Sequence, residues 1–298
     1  MRIPDLKSSD TLLANLQWLN SRQADLSNQV STGQRITRVS DDPSSAARVL
    51  EMQEEKERLQ QYTRNGNRAL EINQATYSAI SDLKDISNRA SELGVLGVGP
   101  AMAGASQSYA TELNQLIEHG LERLNASYGG DHLFGGTQTA SESFTATRDA
   151  SGKITTVTYA GAANSAEFHL AEGAKVSPYT SATTNQQLGD FVNNLIALRD
   201  ALSSGSPAAV QAAQPVLQSS EDHILGTVAD LGAMQTRLEG SLSQHEARFS
   251  ELEKLTSKET DADLSETVVK LTQAQTAYQA ALQVGAQVLR VSLLDYLR

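Results

Sequence analysis

Apolar residues near both ends of the chain recur in alternating steps of four and three. Leu12, Leu16, Leu19, Gln23, Leu26, Val30 and Gly33 keep this spacing near the start. Leu264, Val268, Leu271, Gln275, Tyr278, Leu282, Gly285 and Leu289 keep it near the end. A stripe of this period is narrower than the buried face of a globular helix, so it needs a partner helix to cover it. The two termini are each other's natural partners. The pattern therefore predicts an elongated protein with its N- and C-terminal helices paired as a coiled coil.

The interior pattern predicts further helices interrupted by a small β region. Gly33 stops the first helix, and after a short connector Asp42 caps a new one with Pro43 at its first position, where a missing N–H costs nothing. That helix runs through Glu51, Lys56 and Leu59, with Glu54 and Arg58 as an attractive pair four residues apart. Ala69, Ile72, Thr76, Ala79, Leu83, Ile86, Ala90 and Leu93 extend the same alternation, so the two segments read as one long helix. Glycines and a proline between Gly94 and Gly104 break it, and a further helix fits Ser106 to Asn125. From Phe144 the period shifts to two. Phe144–Arg148 and Ile154–Tyr159 read as a hairpin around Asp149–Gly152, and Ala166–Leu170 as a third strand.

Helical spacing resumes at Gln186, stops at Ser203–Pro207 and restarts. The longest seam is Ile224, Val228, Leu231, Gln235, Leu238, Leu242, His245, Phe249 and Leu252, the expected bundle mate of Ala69–Leu93. A break at 257–261 precedes Asp263 and Glu266, spaced as a capping box for the last helix. The predicted fold class is mainly α with a small β insert. Residues 1–44 and 262–298 form the inner terminal coiled coil, 45–140 and 185–261 a helical-bundle body, and 141–184 an outer β-rich insert. Gln23, Gln235 and Gln275 interrupt the seams, where a polar residue restricts which register and partner are acceptable.

Charge and composition narrow the function. The 298 residues carry a net charge of −11, from 24 basic and 35 acidic residues, with no basic cluster. That lacks the electrostatic footprint of a nucleic-acid binder and disfavours anionic membrane surfaces. There is no cysteine, so no disulfide framework or thiolate metal site forms. The N-terminus has no apolar signal core, and nothing approaches the roughly 20 apolar residues of a membrane span.

Chemistry is sparse. His119, His132, His169, His223 and His245 are scattered, without metal-ligand spacing, and read as structural. Asp41 and Asp42 are explained by capping rather than acid–base work. The glycine pairs at Gly129-Gly130 and Gly135-Gly136 lack the Gly-Lys-Ser/Thr of a phosphate loop, since Thr137-Gln138 follows, and read as close backbone packing. The expectation is no enzyme, no cofactor and no metal.

Several of these segments resemble one family. Ser31–Ala46 (STGQRITRVSDDPSSA) is similar to the terminal motif of the flagellin superfamily, and its Asp-Asp-Pro form resembles the hook-associated branch. Gln61–Asn65 (QYTRN), His132–Thr139 (HLFGGTQT) and Ser292–Leu297 (SLLDYL) resemble further segments of that branch. The resemblance implies a structural subunit of the bacterial flagellum at the junction of hook and filament, exported through the flagellar type III apparatus without cleavage. It implies as partners the preceding hook-associated protein, flagellin, further copies in a ring and a cytoplasmic export chaperone, with no nucleic acid and no membrane insertion. A short flagellin is the alternative, against which stand Pro43, where flagellins have alanine, and Asp295-Tyr296 before the final Leu-Arg. Asn125-Ala-Ser127 is formally a glycosylation sequon and carries no weight in a chain resembling a bacterial protein. The residues expected to carry assembly are Leu12, Leu16, Leu26, Arg35, Ile36, Asp42, Leu264, Leu271, Leu282, Leu289, Leu293 and Leu294, with Arg35 expected to reach a neighbouring subunit.

Overall fold

A computed structural model describes residues 5–99 and 102–296, with side chains described for 10–99 and 104–287. In chain order the elements are α1 (Asp5–Thr32), α2 (Pro43–Leu96), α3 (Met102–Leu124), β1 (Ser127–Tyr128), β2 (Asp131–His132), β3 (Phe144–Arg148), β4 (Ile154–Tyr159), β5 (Phe168–Ala171), β6 (Ala174–Val176), α4 (Ala182–Ser203), α5 (Pro207–Thr260) and α6 (Leu264–Tyr296). The mainly α fold with small antiparallel strand pairs agrees with the sequence pattern. Backbone contacts divide the chain into a terminal unit, residues 1–57 with 248–298, and a central unit, residues 58–247. Helices α2 and α5 contribute to both.

α2 and α5 are long because nothing in their sequences forces a stop. In α2 the early glycine, Gly66, is a packing notch rather than a break: a Cβ there would lie 2.8 Å from Leu242 Cδ2 of α5. α2 also continues through Gly94 to Leu96, so the interruption is shorter than the glycine pattern predicts. α5 opens on Pro207 beneath Ser206, whose hydroxyl accepts from the Ala209 amide at 3.3 Å. It also accommodates Pro215 on its exposed side, where the carbonyl deprived of its N–H partner faces water.

In the central unit, the inward residues of α2 (Ile80, Leu83, Leu93), α3 (Leu113, Ile117, Leu124), α4 (Phe191, Leu195, Leu198) and α5 (Ile224, Leu231) form one apolar core. The predicted α2 seam from Ile72 to Leu93 and the first part of the α5 seam, Ile224 to Leu231, face it, while Ala69 and Leu238 join a smaller cluster with Leu170 and Val176. The β3–β4 hairpin adds Phe144, Ile154 and Val157 to that core and turns its threonines outward. Two strands make a marginal sheet unaided. Here asparagine side chains serve as further edge partners. Asn125 accepts from the Phe144 amide and donates to its carbonyl, both at 2.9 Å, and Asn193 does the same for Val157, both at 2.9 Å. Arg199, buried in α4, donates to the Ile154 carbonyl at 2.7 Å, and Arg148 grips Glu118 of α3 through two bonds of 2.6 and 2.8 Å.

The third strand pairs with β6, which the sequence pattern did not indicate, through a turn at Gly173 (φ 75°). The glycine pairs do their work in turns. Gly129 and Gly130 link β1 to β2 with positive φ. A Cβ on Gly135 would meet the Gln138 carbonyl oxygen at 2.3 Å, and one on Gly136 would meet that of Asn164 at 2.6 Å. No L side chain fits either place, which is the close-packing role expected of them.

Candidate assembly surface

The terminal unit contains the residues expected to carry assembly. α1 and α6 pack antiparallel: Leu12 near the start of α1 meets Gly285 late in α6, while Arg35 just beyond α1 lies against Thr260 just before α6. Along α1 the screened positions are Leu12, Leu16, Leu19, Gln23, Leu26 and Val30, as the stripe predicts, with Leu26 the most buried at 3% exposure. Along α6 they are Thr267, Leu271, Ala274, Tyr278, Ala281 and Gly285. This corrects the predicted α6 register. Leu271, Tyr278 and Gly285 belong to both stripes, but Leu264, Val268 and Leu282 are half-exposed, at 50, 46 and 46%.

The physical reason is interaxial distance. Small residues at 267, 274, 281 and 285 let α1 approach closely enough for its leucines to fill the seam, and a Cβ on Gly285 would come within 2.9 Å of Leu12 Cδ2. The signal was present as a second heptad of small residues, and the larger apolar residues masked it. The consequence is that Leu264, Val268 and Leu282 form an exposed apolar strip beside the seam, with Val269 and Val284 exposed further round α6 and Leu13 and Trp18 of α1 also largely exposed. The side chains of Leu289, Leu293 and Leu294 lie outside the described residues.

At the base of the pair, the connector after α1 and the break before α6 lie side by side. The Arg35 amide donates to the Thr260 carbonyl at 2.7 Å, and the Ala262 amide to the Gly33 carbonyl at 2.8 Å. Gly33 takes φ 72°, the left-handed conformation that ends a helix. Asp42 caps α2 as its sequence position predicts: Oδ1 accepts from the Ser45 amide at 3.1 Å and Oδ2 from the Ser45 hydroxyl at 2.7 Å. Asp41 folds the connector instead, its Oδ2 accepting from the Arg38 amide at 2.9 Å, the Thr37 amide at 3.1 Å and the Thr37 hydroxyl at 3.2 Å.

Arg35 makes its bonds within the chain, donating to the Glu259 carbonyl at 2.8 Å and lying 3.5 Å from Asp42 Oδ2. Arg48 completes the knot, with its guanidinium on both Glu259 carboxylate oxygens at 3.3 and 2.9 Å and on the Ser44 and Ser45 hydroxyls. Ile36 is half-buried beside it. Asp263 caps α6 through the amides of Ser265 and Glu266, but Glu266 pairs with Lys270 at 2.8 Å. The capping box is thus present by its first half.

Electrostatics follow from these bonds. The Ser45 hydroxyl and amide hold the Asp42 carboxyl below its ordinary value, with Arg35 adding to the effect. The Arg38 and Thr37 amides do the same for Asp41. Arg48 lowers Glu259 and is itself raised by it. These carboxylates are committed to holding backbone and guanidinium groups, which is an architectural role.

Comparison with known proteins agrees with this layout. Residues 5–139 match the bacterial flagellin N-terminal helical region, and residues 222–297 match the bacterial flagellin C-terminal helical region. The chain is 27% identical over 266 residues to the flagellar filament 30.7 kDa core protein of Treponema maltophilum, spanning 87% of this chain and 86% of that protein. Its fold is similar to a putative flagellar hook-associated protein of Vibrio parahaemolyticus, with a TM-score of 0.65 at 19% identity, over 74% of this chain and 100% of that one. It is also similar to FlgL of Bacillus cereus, with a TM-score of 0.58 at 16% identity, over 70% and 99% of the two chains.

Proposed function

The chain belongs to the flagellin family and is a structural subunit of the extracellular flagellum, and from that premise we propose that it forms the junction between hook and filament. Its binding would come from burying the outer faces of α1 and α6 against neighbouring copies, at about 25 cal/mol per Å² of apolar area removed from water. In this reading it catalyses no reaction. It follows the preceding hook-associated protein, forms a ring of copies and receives the first flagellin subunits. It leaves the cell through the flagellar type III apparatus, with a cytoplasmic chaperone covering the C-terminal helix beforehand. Residues 1–44 with 262–298 act as the inner layer, and 141–184 as the outward insert.

The observation that carries the reading is the incompletely covered helix pair. Leu13, Trp18, Leu264, Val268, Val269, Leu282 and Val284 stay at the surface of the terminal unit. An apolar face of this kind marks an interaction site. The Asp41-Asp42-Pro43 connector and the fold likeness to hook-associated proteins favour the junction over the filament. The likeness to the Treponema filament protein favours the alternative, a short flagellin.

Immunogold labelling of the intact appendage separates the two. The junction reading expects label confined to one band at the hook end, and cells lacking the protein should release flagellin without retaining filaments. Label along the whole filament would establish the flagellin reading.

A further inference from the structure

Beside the apolar faces, the terminal unit presents two polar surfaces, one carrying exposed arginines and the other exposed glutamates. The first is a polar cleft of about 310 Å³, lined by Arg22, Asp25 and Gln29 of α1 and by Arg35, Arg38 and Asp41 of the connector, among others. Its three arginines and three aspartates balance formally. The acids Asp41 and Asp42 are nevertheless occupied by the bonds described above, and Arg35 is held by Glu259 and Asp42. Arg22 and Arg38 are exposed, and neither guanidinium makes a hydrogen bond or ion pair among the described residues, although the Arg38 charge acts on Asp41; Asp25 likewise has no partner among them. Val39, next to Arg38, is 64% exposed.

The second surface is the outer side of α2. Arg48, Met52, Glu55 and Lys56 turn towards α5, where they meet Glu259, Thr256, Arg248 and Glu253. Helical geometry then directs Leu50, Glu51, Glu54 and Glu57 away from α5. All four are exposed, Leu50 at 53%, and the three glutamates have no partner among the described residues. One surface is an exposed valine flanked by the exposed guanidinium groups of Arg22 and Arg38, with Asp25 in the same cleft, and the other an exposed leucine flanked by carboxylates without a partner among the described residues. Each would satisfy the other.

We propose that Arg22 and Arg38 of one copy hold Glu51, Glu54 and Glu57 of a second copy, with Val39 against Leu50, as an electrostatic latch between subunits. This rests on the reading that copies of the chain assemble together, and it names a contact apart from the apolar faces of α1 and α6. A contact between two different patches of one chain builds rings or helical arrays rather than closed pairs. The charges fix which patches meet, and the apolar pair excludes water between them.

The native chain has no cysteine, so introduced thiols report contacts cleanly. Full-length Val39→Cys and Leu50→Cys chains, mixed at assembling concentration and bridged with a short bis-maleimide, should give a cross-linked dimer. Combining Arg22→Glu and Arg38→Glu in the Val39→Cys chain should lower the yield about tenfold, because two attractions become repulsions. Adding Glu51→Lys, Glu54→Lys and Glu57→Lys to the Leu50→Cys partner should restore it. Raising salt should weaken the native contact. A Leu282→Cys chain reports self-assembly through α6 independently, and circular dichroism confirms that each variant is folded. Cross-linking at Leu282 without any between Val39 and Leu50, or charge reversal that neither lowers nor restores the yield, overturns the latch and leaves the assembly reading standing. Cross-linking at neither site overturns both.

Discussion

The two units achieve order by different means. The central unit closes a continuous apolar core in which Phe134, Phe144, Phe191, Leu83, Leu113 and Leu195 are all sealed from solvent. Its polar side chains are used to fasten edges, as Asn125 and Asn193 do for the hairpin. Among the described residues, the terminal unit has few sealed apolar side chains. Leu26 and Leu252 are among them, while most of the α1–α6 seam is only partly buried. Much of its order comes from a polar knot of Arg35, Asp41, Asp42, Arg48 and Glu259. The difference teaches that one unit is built to be complete alone, and the other to be completed by neighbours.

The sharpest way to break that contrast is to damage the central core. Phe144→Ala removes a ring packed against Phe134 and Tyr159 and should cost about 3–5 kcal/mol, read as a lower midpoint in urea denaturation. Asn125→Ala comes next. It strands the Phe144 amide and carbonyl, which should cost about 1–3 kcal/mol in the same assay and raise hydrogen exchange in β3 before that of the helices. The exposed apolar faces predict the reverse pattern. Leu282→Ser should leave the monomer's melting temperature nearly unchanged while reducing its assembly onto hooks, scored by filament retention.

Acid offers a test specific to the knot. Asp41, Asp42 and Glu259 have folded-state values below their ordinary ones of 3.8 and 4.5, so their stabilisation is complete above those values and is lost as pH falls through the lowered folded values. Proteolytic cutting within 33–45 should therefore stay slow from neutrality down to the ordinary carboxylate range and accelerate below it. Glu118 in the central unit is lowered by Arg148 and follows the same sign, but the core beneath it should confine the change to the hairpin. The smallest expected effect is Asp42→Asn, whose side-chain oxygen still caps α2. It should lower the melting temperature less than Asp42→Ala does and keep filaments attached.

Much of this was legible in the sequence because the signals were local. Gly33, Asp42-Pro43, Asp149–Gly152, Pro207 and Asp263 each specify a turn or a cap within a few residues, and helices and hairpin follow from them. The seams of α1, α2 and α5 were legible because leucine and isoleucine marked the buried side. On α6 Leu264, Val268 and Leu282 pointed outward, and small residues shared the side facing α1 with Leu271 and Tyr278, so size misled where distance decided. β6 has three residues and no alternation to show it. The knot joins Arg35 to Glu259 across 224 positions, and no local pattern announces a contact of that range. Arg35 accordingly invited a reading as a contact for a neighbour, although its bonds in this structure are internal.

The central claim is that α1 and α6 are completed only by other copies, and hydrogen exchange by mass spectrometry on the full-length protein tests it most directly. In a dilute monomer, peptides from residues 10–32 and 264–287 should exchange orders of magnitude faster than those from α3, α4 and the central parts of α2 and α5, and assembly should slow them markedly. Exchange in the dilute monomer as slow as that of the central unit, and unchanged on assembly, would contradict the account.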